Sequence, residues 1–149
     1  MVAGLGDHYM RILGIVVLCA AAALAGCTRT VNVTSTFNPA EAEFINRKGQ
    51  GQINGQLFMR QAGGNVVYGA GSVVSLFPQT TYTSERMQKV FQGSKLFPSV
   101  LGLQIENEDP NFASFKRDAK ADGQGRFTFP DLAPGNYYVT GVVTRSLKL

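Results

Sequence analysis

The stretch Asp122–Thr144, DGQGRFTFPDLAPGNYYVTGVVT, decides the fold. Asp122-Gly123-Gln124-Gly125 reads as a tight turn, because aspartate and glycine supply the local hydrogen bonds and backbone angles that turns need. Arg126–Phe129 follows as a strand with Phe127 and Phe129 on one face, since alternate residues of a strand share a face. Asp131–Asn136 (DLAPGN) is a second corner, where Pro134 fixes φ and Gly135 is expected at positive φ. Tyr137–Thr144, dense in β-branched and aromatic residues, is the most strand-like run in the chain.

This stretch resembles the carboxypeptidase regulatory-like family, whose members are transthyretin-like (prealbumin-like) β-sandwiches. The family pattern is D-x-x-G-x-F-x-F, then L-x-P-G-x-Y, then a second strand. Gly125, Phe127, Phe129, Leu132, Pro134, Gly135 and Tyr137 stand in those places. Gly51–Gly55 and Val74–Leu76 look like the family's first two core strands, so the resemblance spans residues 50–145, with segment 80–110 as an insertion of no family pattern. It implies an all-β sandwich and a tyrosine corner, with the Tyr137 ring packed and its hydroxyl bonded to nearby backbone. It implies a fold and carries no chemistry. The family has a further strand after the equivalent of Tyr137–Thr144, which implies an open sheet edge here. Such an edge pairs with a second copy of the chain, giving a homodimer, or takes a strand from an envelope protein partner. The alternative is that residues 28–36 fold back and cover it.

Working outward, Ile53, Gly55, Leu57 and Met59 alternate with Asn54, Gln56, Phe58 and Arg60, the period of a half-buried strand. Gly63-Gly64-Asn65 signals a turn before Val66–Tyr68, and Ser72–Phe77 is a strand closed by Pro78. Thr83–Gln92 breaks the pattern: Met87, Val90 and Phe91 sit at i, i+3, i+4, with Thr83 or Ser84 as cap. It is expected to be a short helix inserted between strands. Leu96–Ile105 holds another strand, Glu106–Pro110 is an acidic loop, and Phe112–Lys116 reads as a short strand.

The N-terminus carries an address. Arg11 precedes an apolar run, Ile12–Leu24, shorter than the roughly 20 residues of a membrane span and of signal-peptide length. Leu24-Ala25-Gly26-Cys27 then resembles the lipobox of bacterial lipoproteins. That resemblance implies a lipoprotein signal peptide over 1–26, cleavage before Cys27 and acylation of Cys27, with palmitate among the chains. Two or three chains anchor stably where one binds marginally. Either Met1 or Met10 starts the chain, because the segment from Met10 has ordinary signal length by itself. Thr28 stands where an aspartate would divert a Gram-negative lipoprotein, which implies the outer membrane with the domain on its periplasmic face. Residues 27–50, polar and rich in Thr and Asn, read as a lipidated tether, or in part (Val31–Val33) as an edge strand. The domain proper is expected over 51–149.

Composition narrows the chemistry. The 149 residues suit one domain, and 17 glycines with 44% apolar residues favour a turn-rich β fold. Cys19 lies in the discarded run and Cys27 takes lipid, so the mature domain has no disulfide. The single histidine, His8, also precedes the cleavage point. No histidine-dependent triad and no Cys/His zinc site can then form, and no enzyme activity, catalytic residue, metal or cofactor is expected. The net charge of +4 is dispersed as Arg47-Lys48 and Lys116-Arg117 pairs, so no nucleic-acid partner is expected. Asp118 and Asp122 lack the ligand series of a calcium loop. Glu106, Glu108 and Asp109 form a cation site or a plain solvated loop. Phe58, Tyr68, Phe77 and Tyr82 either stack on sugars or fill the core. These residues leave two readings. One is a non-enzymatic, membrane-anchored envelope lipoprotein whose sandwich binds a protein or supports an assembly; the alternative is a carbohydrate-binding module of the starch-binding-like sandwich type.

Overall fold

A computed structural model describes residues 28–96 and 102–144. The stretch 1–26, read above as a signal peptide, Cys27, and residues 97–101 and 145–149 lie outside the described residues. The elements run β1 (Arg29–Asn32), α1 (Pro39–Ala42), a 3-10 turn (Glu43–Asn46), β2 (Lys48–Gln56), β3 (Phe58–Arg60), β4 (Val66–Tyr68), β5 (Val73–Pro78), α2 (Thr81–Phe91), β6 (Leu103–Glu106), a second 3-10 turn (Phe112–Ser114), β7 (Arg117–Lys120), β8 (Arg126–Leu132) and β9 (Tyr137–Gly141). The fold is an all-β sandwich with one inserted helix of any length.

One layer is the antiparallel pair β2–β8, continued by the β3–β4 hairpin; the other is the sheet β7–β5–β9. Between them lie Val74, Leu76, Ala121, Phe129 and Leu132, with Ile53, Leu57, Phe127 and Tyr137 packed around them. The alternation of β5 sends Leu76 into this core and Phe77 to the opposite face. There a second core forms from Val31, Val33, Phe37, Ala42, Tyr82, Val90 and Phe112, with Phe77 against it. Phe77 stacks on Phe112 with ring centres 5.0 Å apart, and Phe37 meets Tyr82 edge-on at 5.6 Å.

The second core corrects the reading of residues 27–50 as a tether. From Arg29 onward the segment belongs to the fold: β1 pairs in parallel with β6, Arg29 opposite Leu103. It then runs antiparallel along α2, tied at four points. Arg29 donates to the carbonyls of Lys89 (2.6 Å) and Val90 (3.1 Å), capping the negative end of the helix dipole. Lys89 donates to Asn32 O (2.7 Å). Glu85 accepts from the Thr34 and Ser35 amides (3.0 and 2.8 Å) and the Thr34 hydroxyl (2.8 Å). At the helix start, the Thr81 amide donates to Glu41 Oε2 (2.9 Å). Val31–Val33 is therefore strand-forming in part, but it pairs β6 and does not cover β9. Among the described residues β9 pairs with β5 alone.

Four smaller expectations shift. The helix starts at Thr81, because Thr80 and Thr83 form a reciprocal capping box that outcompetes a cap at Thr83 or Ser84. Phe112–Lys116 is no strand: Asp109 accepts from the Asn111 amide (2.8 Å) and winds Phe112–Ser114 into a 3-10 turn that drops Phe112 into the core. Of the late strands, β6 covers Leu103–Glu106, with residues 97–101 of the expected strand outside the described residues, and β9 ends at Gly141. At the second corner Asp131, with φ 55°, holds the left-handed position, and Gly135 is not among the positive-φ residues. The tyrosine corner is present: Tyr137 OH donates to Ala133 O at 2.7 Å, and burial pushes its pKa up, which keeps it a donor.

The strap along α2 makes acid stability a testable matter. Lys89, then Ser35 and Thr34, hold the Glu85 carboxyl well below its ordinary value of 4.5. A carboxylate depressed in the folded state contributes stability that is fully present above the unfolded value and is lost as pH falls below it. Melts of the wild type are therefore expected to fall as pH drops below about 4.5. Glu85→Gln should melt lower at neutral pH and show a shallower acid limb. Parallel melting curves for the two proteins across that range would show that the clamp contributes nothing.

Candidate functional site

The strand Lys48–Arg60 turns one side to the core and the other to solvent. By its alternation Gln52, Asn54, Gln56, Phe58 and Arg60 share the outward side, and each is exposed; the pairing slips between Lys48 and Ile53, so Gln50 is exposed there but is not placed by that alternation. Leu57 is the changeover. Its amide donates to Gly125 O (2.7 Å) and its carbonyl accepts from Gly69 N (2.9 Å), so the partner passes from β8 to β4 without a break in the row. Across from the row stand Thr128 and Arg126 on β8, opposite Asn54 and Gln56, then Tyr68 and Val66 on β4, opposite Phe58 and Arg60.

The row has two characters. The amide half is a polar mesh: Gln52 Nε2 and Thr128 Oγ1 both donate to Asn54 Oδ1 at 2.8 Å, and Gln56 Nε2 donates to Gln124 O at 2.9 Å. The other half is an aromatic pair. Phe58 and Tyr68 are register partners, each 47% exposed. A cross-strand aromatic pair stabilises a hairpin, yet half of each ring remains in water. At its far end the row borders a groove of about 320 Å³ lined by Gln50, Gln52, Leu132, Pro134, Gly135 and Tyr137. From Gln52 to Phe58 the extended backbone covers about 20 Å.

The four aromatic candidates thus separate. Phe77 and Tyr82 fill the second core, Tyr82 with 1% of its surface exposed, while Phe58 and Tyr68 face solvent together. The acidic candidates are brought into separate local roles. Glu108 pairs with Arg86 (2.6 Å), whose guanidinium also lies 4.8 Å over the Phe112 ring, while Asp109 holds its own turn. Asp118 accepts from Ser75 Oγ and from Lys116 Nζ, both at 2.6 Å, and Lys116 and Ser75 lower its pKa. Asp122 accepts from the Arg126 and Gln124 amides at 2.8 Å, which lowers its pKa and fixes the turn before β8. Cys27 lies outside the described residues. Sequence alternation put Phe58 opposite the core-facing side, but only the pairing of β3 with β4 places Phe58 and Tyr68 across from each other.

No family model and no curated protein sequence matches the chain. Among solved structures it is similar to PA1324 of Pseudomonas aeruginosa, described as a candidate carbohydrate-binding protein. The two share 30% identity with a TM-score of 0.60, over 77% of this chain and 79% of that one.

Proposed function

Because the chain belongs to the same family as the Pseudomonas aeruginosa protein PA1324, we propose that it is a non-enzymatic envelope lipoprotein that binds carbohydrate on the outward row of β2–β3. The carrying observation is that Phe58 and Tyr68 are register partners on one hairpin, each about half exposed. A sugar ring offers apolar C–H faces and a hydroxyl rim. The aromatic pair suits the faces, and the side chains of Gln52, Asn54, Gln56 and Thr128 hold donors and acceptors for the rim. An open row of this kind suits an extended chain of sugars better than a single small molecule. The lipobox at Leu24–Cys27 supports attachment to the outer membrane, with the sandwich in the periplasm.

A glycan array on residues 28–149, followed by calorimetric titration of the best ligand, tests the site. Phe58→Ala and Tyr68→Ala should each weaken binding at least tenfold, about 1.4 kcal/mol. Their melts should stay close to wild type, because neither ring fills the core. An array with no bound glycan, or wild-type affinity in both variants, would overturn the reading. A protein-binding reading rests on the open side of β9, where Val139, and Val142 just past the strand's end, are 41% and 58% exposed. The carboxypeptidase regulatory-like resemblance supports that reading, and light scattering showing a strand-paired dimer would favour it.

A further inference from the structure

If Cys27 carries lipid, the distance from the bilayer to the first ordered element is very short. Thr28 alone separates Cys27 from β1, and β1 begins at Arg29. Two residues of extended chain reach about 7 Å at most. No slack hides further along, because Arg29, Asn32, Thr34, Ser35 and Glu41 are all tied to α2 or its termini. The domain therefore has one end that cannot leave the membrane surface.

The structure shows which residues stand at that end. Leu103 is the register partner of Arg29, and Gly102 O accepts from the Arg29 amide at 2.8 Å. The C-terminus of α2 is there as well, held by the Arg29 guanidinium, and the turn that follows brings Ser94, Lys95 and Leu96. Leu96 is 75% exposed and Leu103 is 37% exposed. Lys95, the chain neighbour of Leu96, is also exposed. Two exposed leucines at this end, one with a lysine next to it, match a headgroup region, which accepts apolar side chains and attracts cations.

We propose that this end of the domain, with Leu96 and Leu103, rests in the headgroup region of the bilayer. The lipoprotein is then held by its acyl chains and by a protein–lipid contact together, in one orientation. The proposal rests on the lipid-anchor reading of Cys27 and is independent of the carbohydrate reading.

The chain contains no tryptophan, so Leu96→Trp introduces a single reporter. The processed lipoprotein carrying Leu96→Trp, reconstituted in vesicles of phosphatidylethanolamine and phosphatidylglycerol, should show blue-shifted emission. Lipids brominated near the headgroup should quench it. Leu103→Trp repeats the measurement should the first variant fail to fold. Lipidated protein that floats with the vesicles but gives water-like, unquenched emission from both reporters would overturn the contact while leaving the anchor intact. Wild-type protein that takes up no labelled palmitate, or Cys27→Ser protein that still does, would overturn the anchor reading and the proposal with it.

Discussion

A chain that begins at Lys48 is expected to lose its cooperative thermal transition and to aggregate. Val31, Val33, Phe37 and Ile45 are each at most 5% exposed. Full burial of such side chains contributes about 1.5–3 kcal/mol each relative to exposure. Together they supply about 6–12 kcal/mol, less a discount because the unfolded chain already hides some apolar surface. The whole stability of a domain is about 5–15 kcal/mol. Removing these residues also uncovers Tyr82, Val90 and Phe112, which share the second core, and leaves the edge of β6 without β1. Circular dichroism melts and light scattering on residues 28–149 and 48–149 check this. A soluble monomer from 48–149 that melts within a few degrees of the longer chain would mean that the first sandwich core suffices alone.

The segment 27–50 carries no periodic signal that would mark it as part of the fold. Val31, Val33, Phe37, Ala42 and Ile45 are separated by Thr, Asn, Ser and Glu with no sustained period of 2 or 3.6. A strand, a four-residue helix and a 3-10 turn follow one another too quickly for any window to register. Their burial is tertiary: it exists because α2 and Phe112 supply the opposing surface. The turn Asp122–Gly125, strand β8 and the Tyr137 corner were legible because their constraints are local, a turn residue here and an alternation there. The candidate site lay between these cases. Alternation put Phe58 on an outward face, but telling Phe58 and Tyr68 from Phe77 and Tyr82 requires knowing which sheet face α2 covers. That depends on packing, which neither the composition nor the spacing of aromatics records.

Gly125→Val is expected to be severely damaging to the sandwich, exceeding Gly135→Val. Gly125 has φ +76°, a conformation that costs non-glycine residues about 1–3 kcal/mol, and a β-branched side chain suits it least. A Cβ there would lie 2.3 Å from Leu57 O and 3.3 Å from Gly69 N, both backbone atoms that cannot swing aside. The same carbonyl accepts from the Gly69 amide, and Gly125 O accepts from Leu57 N, so relief of the clash breaks the changeover from β8 to β4. Gly135 is different. Its added Cβ would meet the Phe44 ring at 2.4 Å, and that side chain can move by giving up its edge contact with Tyr137. Overpacking of this kind costs typically about 1–3 kcal/mol. Strain and backbone clash together should make Gly125→Val lose about 4 kcal/mol or more, lowering the melting temperature by at least about 8–16 °C at about 2–4 °C per kcal/mol. Gly125→Ala should share most of the loss, because the first carbon already makes the clash. Melts of Gly125→Ala, Gly125→Val and Gly135→Val in one buffer give the ordering. If Gly135→Val proves the worst of the three, the strand changeover at Leu57 is not the constraint that fixes this layer of the sandwich.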